Sequence, residues 1–256
     1  MVRMLKSDIL RIILSYRLPI GIIATSFILI LSLLEERNIN IDVLYAFEII
    51  MYGIPAMLIL IAGAYGYADS IYLDIKNNYY RSQLMHVGLH RYIFSKVISV
   101  FVSSTMIITL GITLFAVIMH LFVPWCDDES MTYYVASNYS CFKFFLNNHH
   151  YILFFLLSGF RYGLLSGILS VLSAYVSLFA KNRMIVFAFP FIGRYLCDLI
   201  TMFLTSKYTL YDIFWEQHVG WKSPAFTIFI LIGLAVSIVF LIGGLMMRKI
   251  ERDYIG

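Results

Sequence analysis

Residues 69–96 read DSIYLDIKNNYYRSQLMHVGLHRYIFSK and form the longest polar, net-positive segment between two strongly apolar ones. The segment also carries aromatic and aliphatic residues that a solvated loop does not need. Upstream, residues 46–68 contain a single charged side chain, Glu48, and downstream residues 97–123 contain none. Two apolar runs of this length, joined by a short amphiphilic connection, read as two membrane crossings with the connection on one face of the bilayer.

Composition extends that reading to the whole chain. Of 256 residues 61% are hydrophobic and 13% charged, against about 25% charged in soluble domains, and the mean hydropathy is +0.84. The apolar runs are continuous rather than alternating, which excludes a β-barrel and leaves helices. We expect an all-α integral membrane protein, a single transmembrane domain over 1–256. Six spans are expected at 18–34, 46–68, 93–123, 150–180, 184–204 and 224–247. Residues 3–16 place Leu5, Ile9, Ile12 and Tyr16 on one helical face, with Arg3, Lys6, Ser7 and Arg11 elsewhere. This pattern predicts an amphipathic helix lying in the interface before the first span. Gly53 with Pro55, and Pro190 with Gly193, mark expected kinks or breaks in the second and fifth spans.

Orientation follows from lysine and arginine. With both termini cytoplasmic, that side holds Arg3, Lys6, Arg11, Arg17, Lys76, Arg81, Arg91, Lys96, Lys181, Arg183, Arg248, Lys249 and Arg252. The outer side holds only Arg37, Lys143, Lys207 and Lys222. The segment 69–92 is then a cytoplasmic connection. Basic residues flank apolar runs rather than forming a patch of their own, so no nucleic-acid footprint exists.

Chemistry-bearing patterns are sparse. No GxxxxGK[ST] loop, HExxH or GxSxG occurs, so the chain cannot cradle nucleotide phosphates in the usual way and no catalytic role is expected. No metal ligand set is apparent. Gly159, Gly163 and Gly167 recur every four residues in the fourth span and mark a close helix-packing stripe. Arg161, Arg194 and Asp198 are intramembrane charges, expected either as a structural salt bridge or as a polar path for substrate. Cys126 and Cys141, in the long outer segment 124–149, are candidates for an extracytoplasmic disulfide.

The order of elements carries a resemblance. An amphipathic N-terminal helix precedes six spans, an amphiphilic cytoplasmic segment joins spans two and three, and an aromatic segment (205–223) precedes the last span. This resembles the membrane subunit, or permease, of ABC transporters of the type 2 exporter class, which includes bacterial drug, lantibiotic and polymer exporters. Its most specific local part is RSQLMHVGLHRYIFSK at 81–96: a short helix, a turn, then basic residues entering span three. Asp74 and Asn77-Asn78 stand where that family often carries an acidic residue and Gly-Thr. The resemblance implies that Tyr79, Arg81, Leu84 and Met85 dock an ATP-binding subunit, with Gly88, Arg91 and Lys96 setting the turn and helix entry. It implies a partner ATPase holding ATP and magnesium, a second permease copy or related permease, surrounding membrane lipid, and a bacterial plasma membrane. It further implies export of a peptide, drug or lipid-like substrate by alternating access. The alternative is an ion-gradient-driven secondary transporter or channel using Arg161, Arg194 and Asp198.

Overall fold

A computed structural model describes residues 2–33, 42–80, 88–127, 129–180, 182–205, 209, 212, 214 and 224–252. Among these residues all regular structure is helical. The helices are α1 (Val2–Leu14), α2 (Arg17–Leu33), α3 (Val43–Tyr52), α4 (Ile54–Tyr65) and α5 (Ser70–Lys76), followed by α6 (Leu89–His120). The second half holds α7 (Met131–Tyr139), α8 (Lys143–Asn147), α9 (Tyr151–Val176), α10 (Arg183–Thr205) and α11 (Pro224–Ile250). The helices α6, α9, α10 and α11 are each long and apolar enough to cross a membrane, and the number rises to six if the bent pairs α1–α2 and α3–α4 each count as one crossing. The protein is therefore a multi-pass helical membrane protein.

The expected single span 46–68 is two helices that meet at an 83° bend. The cause is local. Gly53 is extended (φ −91, ψ −175), and Pro55 sits in the first turn of α4. Proline lacks the N–H that would continue the ladder from α3, but tolerates the first turn of a new helix. Pro190, in contrast, lies inside α10 without ending it. Between α1 and α2 the chain bends by 54° at Ser15-Tyr16, and Ser15 Oγ accepts from the Arg17 amide at 3.2 Å.

The segment 124–149, expected as an outer loop, contains the two helices α7 and α8. Asp42 organises it. Its Oδ1 accepts the Tyr45 amide at 2.5 Å as the N-cap of α3, and its Oδ2 accepts the Asp127 amide at 2.7 Å. The amides of Val43 and Leu44 donate to the carbonyls of Pro124 and Trp125, each at 3.1 Å.

The centre of the bundle is the seam between α6 and α9. A carbon atom added at Gly163 would lie 2.9 Å from the Thr105 carbonyl oxygen, and one at Gly167 would lie 2.6 Å from the Phe101 ring. Gly159 faces Ile112 and the Thr109 carbonyl in the same way. A third helix joins here: Gly63 of α4 approaches Ser104 of α6 and Ser166 of α9. The hydroxyls of Ser104, Ser166 and Ser170 bond to one another at 2.8 and 2.9 Å. The most apolar stretch of α9 is 67% buried, against 22% for α10 and 28% for α11. These last two present Ile192, Leu199, Phe203, Phe229 and Leu241 outward.

Charge divides the bundle by end. α1, α5, the starts of α2, α6 and α10, and the finishes of α4, α9 and α11 share one end, as contacts between Arg17 and Asp69, Arg183 and Asp69, His90 and Met247, and Lys249 and Phe179 show. That end carries Lys6, Arg11, Arg17, Lys76, Arg91, Lys96, Arg183, Arg248, Lys249 and Arg252. Asp42, Asp127 and Glu129 lie at the other end, with Lys143.

Candidate functional site: a buried ion network at the basic end

Taking a charge out of water costs several kcal/mol unless it is paired and hydrogen-bonded. Buried charges therefore show where a membrane protein holds its parts in fixed relation. At the basic end Asp8 and Asp69 are buried and Asp74 is partly buried, paired with the buried Lys96 and with the partly exposed Arg17 and Arg183. Asp69, fully buried just before α5, receives Arg17 Nη1 of α2 at 2.8 Å and Arg183 Nε of α10 at 2.6 Å. Lys96, in the second turn of α6 and 3% exposed, places Nζ 3.0 Å from Asp74 Oδ2 of α5 and 3.8 Å from Asp8 Oδ1 of α1.

Hydroxyls complete the cluster. Lys96 Nζ donates to the Tyr67 hydroxyl at 3.2 Å, which donates to Asp8 Oδ1 at 3.1 Å. Ser95 Oγ donates to Asp8 Oδ2 at 2.8 Å, and the Tyr92 hydroxyl to Asp74 Oδ2 at 2.7 Å. The Lys96 ammonium also lies 5.1 Å from the centre of the Tyr67 ring and 5.9 Å from that of Tyr92, within cation–π range.

The network changes the reading of the segment 69–96. Its first residues are not a hydrated extension of the second span, because Asp69 and Asp74 tie its root to α2, α6 and α10, and Lys96 links that root on to Asp8 of α1. Lys96 is a buried partner of two carboxylates. Beyond α5, Asn78 turns the chain with φ +54, Tyr79 is 43% exposed and Tyr80 is buried. Arg81, Leu84 and Met85 lie outside the described residues. Gly88 has φ +84, a conformation that L side chains rarely adopt, and Arg91 is exposed.

The amphipathic helix α1 packs part of its surface against the bundle. Asp8 and Ile12 face the bundle, whereas Leu10, Ile13, Leu14 and Tyr16 point outward at 46 to 82% exposure. An acid four residues before a buried isoleucine was the legible signal. Asp8 falls beside the apolar stripe of the wheel, where a free interfacial helix would not hold a carboxylate.

The intramembrane charges separate into two groups. Arg194 Nη1 donates to the Tyr162 hydroxyl at 3.2 Å, and its Nε lies 3.6 Å from Asp198 Oδ2. Tyr162 in turn donates to the Ala56 carbonyl, which links α9 and α10 to the start of α4. Arg161 lies elsewhere, over the Phe142 ring at 5.9 Å, in a small cavity with Glu48, Ser140 and Ser158. No disulfide joins Cys126 and Cys141, and the Cys126 thiol contacts the Tyr151 hydroxyl at 3.5 Å. No group of three potential metal ligands occurs among the described residues.

Asp69→Asn should lower the thermal midpoint in detergent, because Arg17 and Arg183 lose a shared anion. Their side chains are 20 and 38% exposed and reach water, so the cost is about 1–3 kcal/mol rather than that of a fully buried pair. A double-mutant cycle with Arg17→Gln measures the coupling. Strict additivity would refute the pairing.

Compared with family models, with curated proteins and with solved structures, the chain matches none.

Proposed function

We propose that this chain is the membrane-spanning subunit of an ATP-driven exporter of the ABC type 2 class, worked by a separate ATP-binding subunit. In this reading the bent pairs α1–α2 and α3–α4 serve with the four long helices as six crossing units. The basic end faces the cytoplasm with both termini, and the membrane is the bacterial plasma membrane. The exported molecule is a peptide, drug or lipid-like compound, and a second permease copy completes the path.

One observation carries the proposal. The segment that would meet the ATPase is anchored at its root, through Asp69 and Asp74, to helices from both halves of the chain. A displacement of residues 77–91 would therefore move α2, α6 and α10 rather than bend a slack loop. Rigid transmission of that kind is what an externally driven switch between two packed states requires.

The test is affinity purification of the tagged full-length chain from its native membrane, with mass spectrometry of what accompanies it. An ATPase should co-purify, and Leu84→Glu or Met85→Glu should remove it while the permease remains folded. Variants that keep both the ATPase and transport would refute docking through this segment. The Arg194–Asp198 pair with Tyr162 supports a second reading as an ion-gradient transporter. Under that reading transport survives without ATP hydrolysis and is lost in Asp198→Asn.

A further inference from the structure

A cavity of about 330 Å³ opens beside the ion network. Its wall includes Arg11, Ser15, Arg17, Tyr67, Ser70 and Lys96, with Asp74 as its acidic member. It is roughly tenfold larger than one water's share of liquid volume. Ser70 Oγ is buried in this wall, on a residue 7% exposed, and has no hydrogen-bond partner among the described residues. A buried hydroxyl without a partner is a costly arrangement that a bound acceptor or donor relieves. Arg11 is exposed and has no carboxylate within ion-pair distance among the described residues. It lies beside Tyr67 at the cavity's edge, where the Asp8 carboxylate also attracts it from beyond ion-pair distance.

A second groove, of about 490 Å³, runs along α1 past Lys6, Leu10 and Leu14, and shares Arg11 and Ser15 with the cavity. Leu10 is 46% and Leu14 82% exposed. The two spaces are therefore neighbours along α1. The cavity is lined by Arg11, Arg17, Lys96 and hydroxyls beside Asp74, and the groove combines the exposed Leu10 and Leu14 with Lys6, Ser7, Arg11 and Ser15, on a helix at the edge of a membrane protein. An amphiphile with an anionic head matches both parts, with Arg11 as the cation outside the ion pairs.

We propose that this is a binding site for an anionic phospholipid. The phosphodiester sits against Arg11 and Arg17 and accepts from Ser70 Oγ, and an acyl chain lies along Leu10 and Leu14. Bound there, the lipid joins α1 to the root of the segment 69–80. The inference rests on the membrane setting alone and does not depend on an ATPase partner.

The experiment is native mass spectrometry of the full-length protein in detergent, titrated with dioleoylphosphatidylglycerol, with dioleoylphosphatidylcholine and with inorganic phosphate. Phosphatidylglycerol should bind first, at one per chain, and at least fivefold more tightly than phosphatidylcholine, in keeping with the contribution of one interfacial cation. Arg11→Gln, an exposed substitution outside the ion pairs, should erase that preference. Ser70→Ala should weaken phosphatidylglycerol binding in a protein of unchanged thermal midpoint. Leu14→Ser, which removes apolar surface without adding charge, should weaken both lipids alike. Equal binding of the two lipids by the parent protein overturns the proposal, as does an Arg11→Gln protein with its preference intact. Inorganic phosphate displacing phosphatidylglycerol at equal concentration would assign the site to the free anion and overturn the lipid assignment.

Discussion

Lys96→Met should be the most damaging single substitution at the basic end. The change conserves length and removes only the charge. It strands two carboxylates whose side chains are 6% (Asp8) and 13% (Asp74) exposed, and it removes a hydrogen bond to Tyr67. Breaking a buried ion pair by deleting one partner costs about 3–5 kcal/mol, a large part of a total stability that is typically about 5–15 kcal/mol. The expected result is a strongly lowered thermal midpoint in detergent, with faster amide exchange in α1, whose Asp8 loses its cation. The triple variant Lys96→Met, Asp8→Asn, Asp74→Asn should recover much of the loss, because replacing a whole buried ionic group is far less costly than halving it. A Lys96→Met protein with the parent's thermal midpoint would show that the ammonium is not the centre of the network.

Gly163→Val should separate the two central helices, whereas Gly244→Val should not. At Gly163 the new carbon would lie 2.9 Å from the Thr105 carbonyl oxygen and 2.9 Å from Thr109 Oγ1. The first of these is backbone of the facing helix and cannot rotate away, so α6 and α9 must move apart along their main contact. Overpacking of this kind costs about 1–3 kcal/mol, and here it also disturbs the Thr105 hydroxyl bond to the Gly163 carbonyl at 3.2 Å. At Gly244 nothing lies within 4 Å of the added carbon. Thermal unfolding of the two variants in one detergent compares the sites directly. Equal losses would mean that valine's poorer helix propensity, rather than the seam, sets the cost.

Particular residues show how far the sequence can be read. The apolar runs declared a multi-pass helical membrane protein, since lipid offers no partner for an unsatisfied backbone. Gly53 and Pro55 declared a break, because one adopts extended backbone freely and the other cannot extend a helical ladder. Gly159, Gly163 and Gly167 declared a face that a neighbouring backbone can approach. These properties are local, written within a few residues of where they act.

The pairing of charges is a different kind of fact. Ser95 and Asp8, 87 residues apart, bond at 2.8 Å, and Arg17 meets Asp69 across 52 residues. Helical periodicity states which side of its own helix a carboxylate occupies, but not which helix will face it. Asp69 therefore read as part of a polar connection and Lys96 as a helix entry, when both are buried between helices. Likewise Arg161 and Arg194, read together as members of one salt bridge or polar path, diverge toward Phe142 and Tyr162. The sequence by itself determined that this chain is a helical membrane body, where its helices break and which faces are small enough to pack closely. The tertiary structure alone decided that three aspartates close the basic end around Arg17, Lys96 and Arg183, because a charge is stable in a low-dielectric interior only where folding delivers its partner.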